Sequence, residues 1–419
     1  MTRKNNNILS DGNYRSIFLS QVWSSAGTVV GNVAIPLVAV SVLKASPFEL
    51  SVISIARYLP NLVLSFYMGI LVDRLPLKKT AISMDYCRAG VLIIVPIAWI
   101  TGNLNFTLLV LVSAILGIIR IPFELTLSSI IPILIPEEKR KSANANFETV
   151  SNISNIAGPG LGGVFVGFIG APLALLFHAV SSILSAFALK NLDEPVRDFE
   201  INDSSEDKKF ELKKIFSGFS EFFRYPVLVA LIGAGAISNM ALLSFQSVYY
   251  AYALENWNFT EVVAASLIAV IAVGSVSGNR AVSYWSKFMG SQKILVTTYI
   301  LISVSSLLLI TIENLEYTVK ALFLFGIFLV WGFSFGVFNV LGVTYRQKVI
   351  PPAVMGRVLG AARTMLFGAF PLGALLGGIF SNLYGFIGVV SVNIFLNFLS
   401  LVILIYGMKR PEARALEDL

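Results

Sequence analysis

Arg120 and Glu124 stand four residues apart in a stretch that is otherwise apolar, and Arg57 stands alone in another. Residues four apart share one helix face, so Arg120 and Glu124 form a candidate ion pair. Apolar surroundings favour a neutral carboxyl group, whereas an adjacent guanidinium favours the carboxylate. Such a pair can take up and release a proton as its surroundings change, with Glu124 the leading candidate for the carrier. A static pair that ties two helices together is the competing reading. Other charges in apolar stretches are Asp85 with Arg88, three residues apart, and Glu148 and Arg363. Asp85 and Arg88 read as a structural pair. The chain has one His, His178, and one Cys, Cys87, which excludes an intrachain disulfide and a His-rich metal centre. His178 reads as a packed, hydrogen-bonded residue and Cys87 as an inert packed thiol. No nucleophile–base arrangement, metal cluster or phosphate-binding GxxxxGK[ST] loop is present, so no enzyme, metal site or built-in ATPase is expected.

The elements that must position these groups follow from composition. Hydrophobic residues make up 56% of the 419 and charged residues 13%, against about 45–50% and about 25% in soluble domains. The mean hydropathy is +0.78. A helix needs about 20 apolar residues to cross a bilayer. Twelve stretches qualify, at 16–42, 48–72, 80–101, 106–134, 143–169, 172–190, 225–253, 261–284, 291–312, 319–345, 354–382 and 385–408. Arg57 lies nine residues after Phe48, about 13 Å deep at 1.5 Å per residue. Ionisable groups at such depth are costly, usually paired and commonly functional.

Charge placement orients the spans. Of the 31 Lys and Arg, Lys44 and Lys320 fall on one side and Arg57, Arg88, Arg120 and Arg363 within spans; the rest fall on the other side. That bias puts both termini in the cytoplasm, and a bacterial cytoplasmic (inner) membrane is expected. The net charge of +7 thus marks a membrane face and no nucleic-acid partner. The expected partners are the lipid bilayer and a small-molecule substrate, with the chain a monomer.

Residues 191–224 hold nine acids and six bases and read as a cytoplasmic linker. It divides a six-helix bundle at 1–190 from another at 225–408, with a cytoplasmic tail at 409–419. The halves repeat. At an offset of 215 the pairs Ile135/Ile350, Pro136/Pro351, Gly158/Gly373, Leu161/Leu376, Gly162/Gly377, Gly163/Gly378, Phe165/Phe380 and Gly170/Gly385 superimpose without a gap. Repeats of this scale are typical of secondary transporters, whose substrate lies near the midplane between the halves.

Two motifs carry a family resemblance. Gly69-Ile-Leu-Val-Asp73-Arg74-Leu-Pro76-Leu77-Lys78-Lys79 resembles the G-x-L-x-D-R-x-G-R-K-K loop of the major facilitator superfamily, departing at Pro76 and Leu77. Gly158-Pro159-Gly160-Leu161-Gly162-Gly163 resembles the GPxxGG motif of its antiporters. With SIIPILIPEEKRKSANA and VIPPAVMGRVLG…PLGALLGG, the chain is similar to the twelve-span drug:proton antiporter branch that contains macrolide efflux proteins and the enterobactin exporter.

The resemblance implies an all-α membrane protein of 12 helices in two pseudo-symmetric six-helix bundles. It implies export by alternating access, driven by a proton gradient without any cofactor. Arg57 would join Arg120 and Glu124 in the first bundle. Spans one, four, seven and ten would line the cavity, making Asn32, Asn239, Gln246 and Asn339 candidate lining residues. Phe245, Tyr249, Tyr250, Trp331, Phe333 and Phe338 could stack on a ligand, although packing is the simpler reading for most. Asp73 and Arg74 would brace against the start of span eleven near Gly356 and Arg357 as a gate. Glu148 would pair with Arg280, and Arg363 would face the Asp73 side or the cavity. Gly158, Pro159, Gly162, Gly163, Gly373, Gly377 and Gly378 would set close helix packing. The expected function is efflux of a lipophilic, macrolide-like compound. The alternatives are export of a dedicated metabolite (a siderophore, peptide-like product or lysolipid) and a non-transporting sensor on the same scaffold.

Overall fold

The computed structural model describes residues 11–136, 139–140, 143, 146–147, 150, 154, 162–194 and 219–416. These residues are overwhelmingly helical, with no strand among them. The helices are α1 (Gly12–Leu37), α2 (Pro47–Arg74), α3 (Leu77–Ile100), α4 (Phe106–Leu134), α5 (described over 162–169), α6 (Ala171–Lys190), α7 (Pro226–Ala251), α8 (Glu261–Trp285), α9 (Ser291–Leu307) and α10 (Tyr317–Val349). A last run, Pro352–Met408, is broken at Gly385 (φ 64, ψ −152) into α11 (352–384) and α12 (386–408).

Local chemistry sets several starts. Asp11 caps α1 by accepting from the backbone N–H groups of Asn13 and Tyr14 at 3.1 Å. Asn105 caps α4 by accepting from Leu108 N–H at 2.9 Å. Both satisfy donors that a helix start leaves open. Proline opens α6 and α7, where its missing N–H costs nothing.

Nine runs among the described residues are long and apolar enough to cross a membrane, the α11–α12 run counted as one. Large apolar side chains are left uncovered on many helices, Phe168 at 86% and Ile100 at 71% among them. Apolar surface on that scale is tolerated where lipid is the solvent.

The chain forms two compact units. The first comprises Met1–Ala45, Ala56–Phe199 and Thr260–Ala269; the second comprises Ser46–Ile55, Glu200–Phe259 and Val270–Leu419. The first turns of α8 thus belong to the first unit and those of α2 to the second. Residues 195–218 of the expected linker lie outside the described residues. In the first unit, Tyr14, Ile17, Leu77, Phe123, Leu127 and Ile130 form a buried core. In the second, Leu228, Leu231, Ile294, Leu295, Val337 and Leu341 do the same.

The repeat seen in sequence has matching backbone features inside the two units. Gly170 (φ 82) starts α6 and Gly385 (φ 64) starts α12, 215 residues on. α1 runs into a π-helical turn, Val38–Val42, followed by Lys44 at φ 53. α7 runs into another, Tyr252–Asn256, followed by Asn258 at φ 53. The bonds closing these turns match at an offset of 214. Leu43 N–H donates to Val38 and Ala45 N–H to Ala39, as Trp257 N–H does to Tyr252 and Phe259 N–H to Ala253.

Candidate functional site

In the first unit α2 and α4 cross in backbone contact. A Cβ on Gly117 would collide with the carbonyl oxygen of Arg57 and reach the Pro60 ring at 3.4 Å. One turn further along α4, Arg120 Nε donates to Glu124 Oε1 at 2.6 Å. Both side chains are nearly half exposed, at 45% and 41%. Arg57 donates instead to Asn32 Oδ1 on α1. The structure therefore brings Asn32 and Arg57 together beside the Arg120–Glu124 pair.

Behind α4 lies a second ionic group. Asp85 and Arg88 on α3 are buried, and Arg88 Nη1 donates to Asp85 Oδ1 at 3.0 Å and to Ser24 Oγ of α1 at 3.0 Å. The Arg88 guanidinium lies 4.5 Å from the centroid of Phe123 on α4. Ser20 of α1 and Ser185 of α6 share a hydrogen bond of 2.8 Å beside them. The pair is thus tied to three neighbouring helices.

Two readings of single residues are corrected. His178 is buried and packed, but neither ring nitrogen has a hydrogen-bond partner. The cause is its surroundings: the ring fills the space that side chains at Gly27 and Gly31 of α1 would take. Cys87 is exposed rather than packed, because its neighbours Asp85 and Arg88 take the inward face of α3.

In the second unit, Asn239 is buried and donates to the Leu366 carbonyl of α11 at 3.0 Å. Gln246 is half-buried and Asn339 exposed. Phe245, Tyr249 and Trp331 are buried and pack on one another with Phe328 and Phe386, mostly edge to face. Composition did not single out Asn393 and Asn397 of α12. They are fully buried and donate to the Ala241 carbonyl (2.6 Å) and Ser306 Oγ (2.9 Å). Two amides spaced four apart in an apolar helix were the available signal.

Of the expected gate, Asp73 and Arg74 lie in the last turn of α2. Arg74 and Arg280 are exposed, and the Arg363 guanidinium sits 5.5 Å from the Phe367 ring. Glu148, Gly158 and Pro159 lie outside the described residues, as does the Asp73 side chain. The remaining glycines sit at close approaches. A Cβ on Gly162 would meet Val33 of α1 at 3.2 Å, whereas one on Gly377 would overlap the backbone of Ser244 on α7. Gly163 abuts Ala265 of α8, and Gly378 abuts Ser51 of α2. Ser41 donates to Glu261 at the start of α8.

Long apolar helices, an internal repeat and charges set into spans define a multi-pass membrane carrier. The model of the Major Facilitator Superfamily matches residues 17–374, and the chain belongs to that family of transporters. It is similar to the multidrug efflux pump Tap of Mycolicibacterium fortuitum, 22% identical over 375 residues (86% of this chain, 87% of that one). It is similar also to macrolide efflux protein A of Streptococcus pyogenes, 20% identical over 341 residues (81% and 82%). Among solved structures it resembles a bacterial homologue of the iron transporter ferroportin in an inward-facing state. There the TM-score is 0.75 and the identity 15%, covering 97% of this chain and 100% of that one.

Proposed function

We propose that this transporter exports lipophilic organic compounds across a bacterial cytoplasmic membrane in exchange for protons, as a monomer with both termini inside and without a cofactor. The observation that carries the reading is Glu124. It is a half-exposed carboxylate in an apolar helix, held at 2.6 Å by a base on its own face. A proton and a cationic substrate compete for one carboxylate, which is the minimum device for exchange. The efflux relatives support export, and the positive-inside bias supports the orientation.

The test is drug accumulation in an efflux-deficient bacterial host, followed by proteoliposomes with an imposed pH gradient. Macrolides, lipophilic cations and siderophores form the panel. Lower accumulation of at least one compound, lost when the gradient is collapsed, supports the reading. Good expression with no compound affected would favour the sensor reading.

A second reading is favoured by Arg57. Its described partner is the neutral Asn32, not a carboxylate, so Arg57, Arg120 and Glu124 together carry one excess positive charge. That surplus suits an anionic metabolite such as a siderophore or lysolipid, and the siderophore arm of the panel separates the two.

A further inference from the structure

We propose that Asp85 is a second, buried proton site, and that its charge reaches Glu124 through Arg88, so that a proton and a lipophilic cation exclude each other. This rests on the exchange reading above and names its substrate class.

Asp85 has no exposed surface. Its Oδ1 accepts from Arg88 and the Ser185 hydroxyl stands within reach of the carboxyl, while Oδ2 itself is buried and accepts no hydrogen bond. A carboxylate can accept several hydrogen bonds, and an unsatisfied buried acceptor is costly. A proton on Oδ2 removes that charge. The groups around Asp85 can be named helix by helix. α3 supplies Arg88; α1 supplies the Ser20 and Ser24 hydroxyls; α6 supplies Ser185, which acts on Asp85, and His178. α4 supplies Phe123, with Arg120 and Glu124 acting on Arg88 by charge, and α2 supplies Arg57, which acts on Arg120 and His178.

Ionised Asp85 neutralises Arg88. When Oδ2 binds a proton, the carboxyl becomes neutral and the Arg88 charge is uncompensated. That charge lies against Phe123, the residue next to Glu124. The region around Glu124 gains one positive charge and repels a bound cation. The coupling is reciprocal, so a cation at Glu124 favours release of the proton from Asp85. Mutual exclusion of this kind is what exchange requires.

Dicyclohexylcarbodiimide, which modifies protonated carboxyls in apolar surroundings, tests the site on the full-length wild-type protein. Adducts are mapped by mass spectrometry between about pH 5 and pH 8, with and without tetraphenylphosphonium as probe. The expected result is an adduct on Asp85 that grows as the pH falls and drops at least about fivefold with the probe. No Asp85 adduct across that range, or one indifferent to the probe, overturns the proposal. In proteoliposomes, Asp85→Asn holds the site neutral, so it is expected to cut gradient-driven accumulation at least about tenfold, to weaken probe binding at least about fivefold at the high end of that pH range, and to remove the pH dependence of that binding. Asp85→Glu is expected to keep accumulation with a displaced pH profile. Asp85→Asn that binds the probe as tightly as the wild type at the high end of that pH range, or that keeps the wild-type pH dependence of binding, or an unmoved profile in Asp85→Glu, also overturns it. Should Asp85→Asn fail to fold, the labelling of the wild type decides. Wild-type accumulation that ignores the pH gradient sinks the exchange reading, while the pH dependence of the Asp85 adduct still judges the proton site.

Discussion

At the end of α1 the chain makes a π-helical turn and passes through Lys44 at φ 53; 214 residues later α7 does the same and passes through Asn258 at φ 53. Side chains at matching positions differ sharply. His178, unpartnered over Gly27, corresponds to Asn393, which is bonded to the carbonyl of Ala241, the position matching Gly27. Glu124 corresponds to Asn339, and Arg120 to Phe335. The Asp85–Arg88 pair has its counterpart among Tyr299, Ile300, Ile302 and Ser303. The second half therefore builds the same turns and crossings from amides, hydroxyls and aromatic rings. Charges that one half dispenses with are not demanded by the helix framework. The proposed proton exchange would give these first-half charges a task.

The largest expected effect separates the halves by function. Glu124→Gln should lower gradient-driven transport of a recognised compound about a hundredfold, whereas Asn339→Ala should change it less than about threefold; proteoliposome uptake measures both. Equal losses would break the contrast. Next comes packing. Gly377→Leu should destabilise by about 3 kcal/mol or more, because it strikes the Ser244 backbone, and Gly162→Leu by about 1 kcal/mol, because the Val33 side chain can yield. Thermal unfolding in detergent orders them. Gly170→Ala and Gly385→Ala should each cost about 1–2 kcal/mol, and nearly equally, since both hold positive φ. The smallest effect is His178→Asn. It should be neutral or stabilise by up to about 1 kcal/mol, since an amide there can reach the Gly27 carbonyl as Asn393 reaches Ala241. A loss of stability would mean that the two sites are not equivalent.

Sequence pattern read the framework well, because lipid imposes length and apolarity on every span. The pair Gly170/Gly385 was visible as a coincidence of glycines, and its positive φ explains it. The π-helical turns were not legible: Val-Ala-Val-Ser-Val and Tyr-Ala-Leu-Glu-Asn have no common pattern, and backbone geometry alone relates them. The Arg120–Glu124 bond followed from spacing along one helix. Partners on other helices did not, so Asn32 for Arg57 and Ser24 and Phe123 for Arg88 emerge only from packing. His178 shows why polar residues mislead: a hydrogen bond was expected for it, yet two glycines on α1 made room for the ring and neither ring nitrogen meets a partner. Asn239 counted as a lining candidate by position, and packing supplies the Leu366 carbonyl of α11 as an acceptor for its amide.

The central claim is that the proton-handling groups lie in the first half. It is tested most directly by recording proton movement with a pH-sensitive dye in proteoliposomes while a lipophilic cation is added. The account predicts proton counterflow in the wild type and in the Gln246→Ala/Asn339→Ala double variant, and none in Asp85→Asn/Glu124→Gln. Counterflow that survives loss of both first-half carboxylates, or disappears with the second-half amides alone, would contradict it.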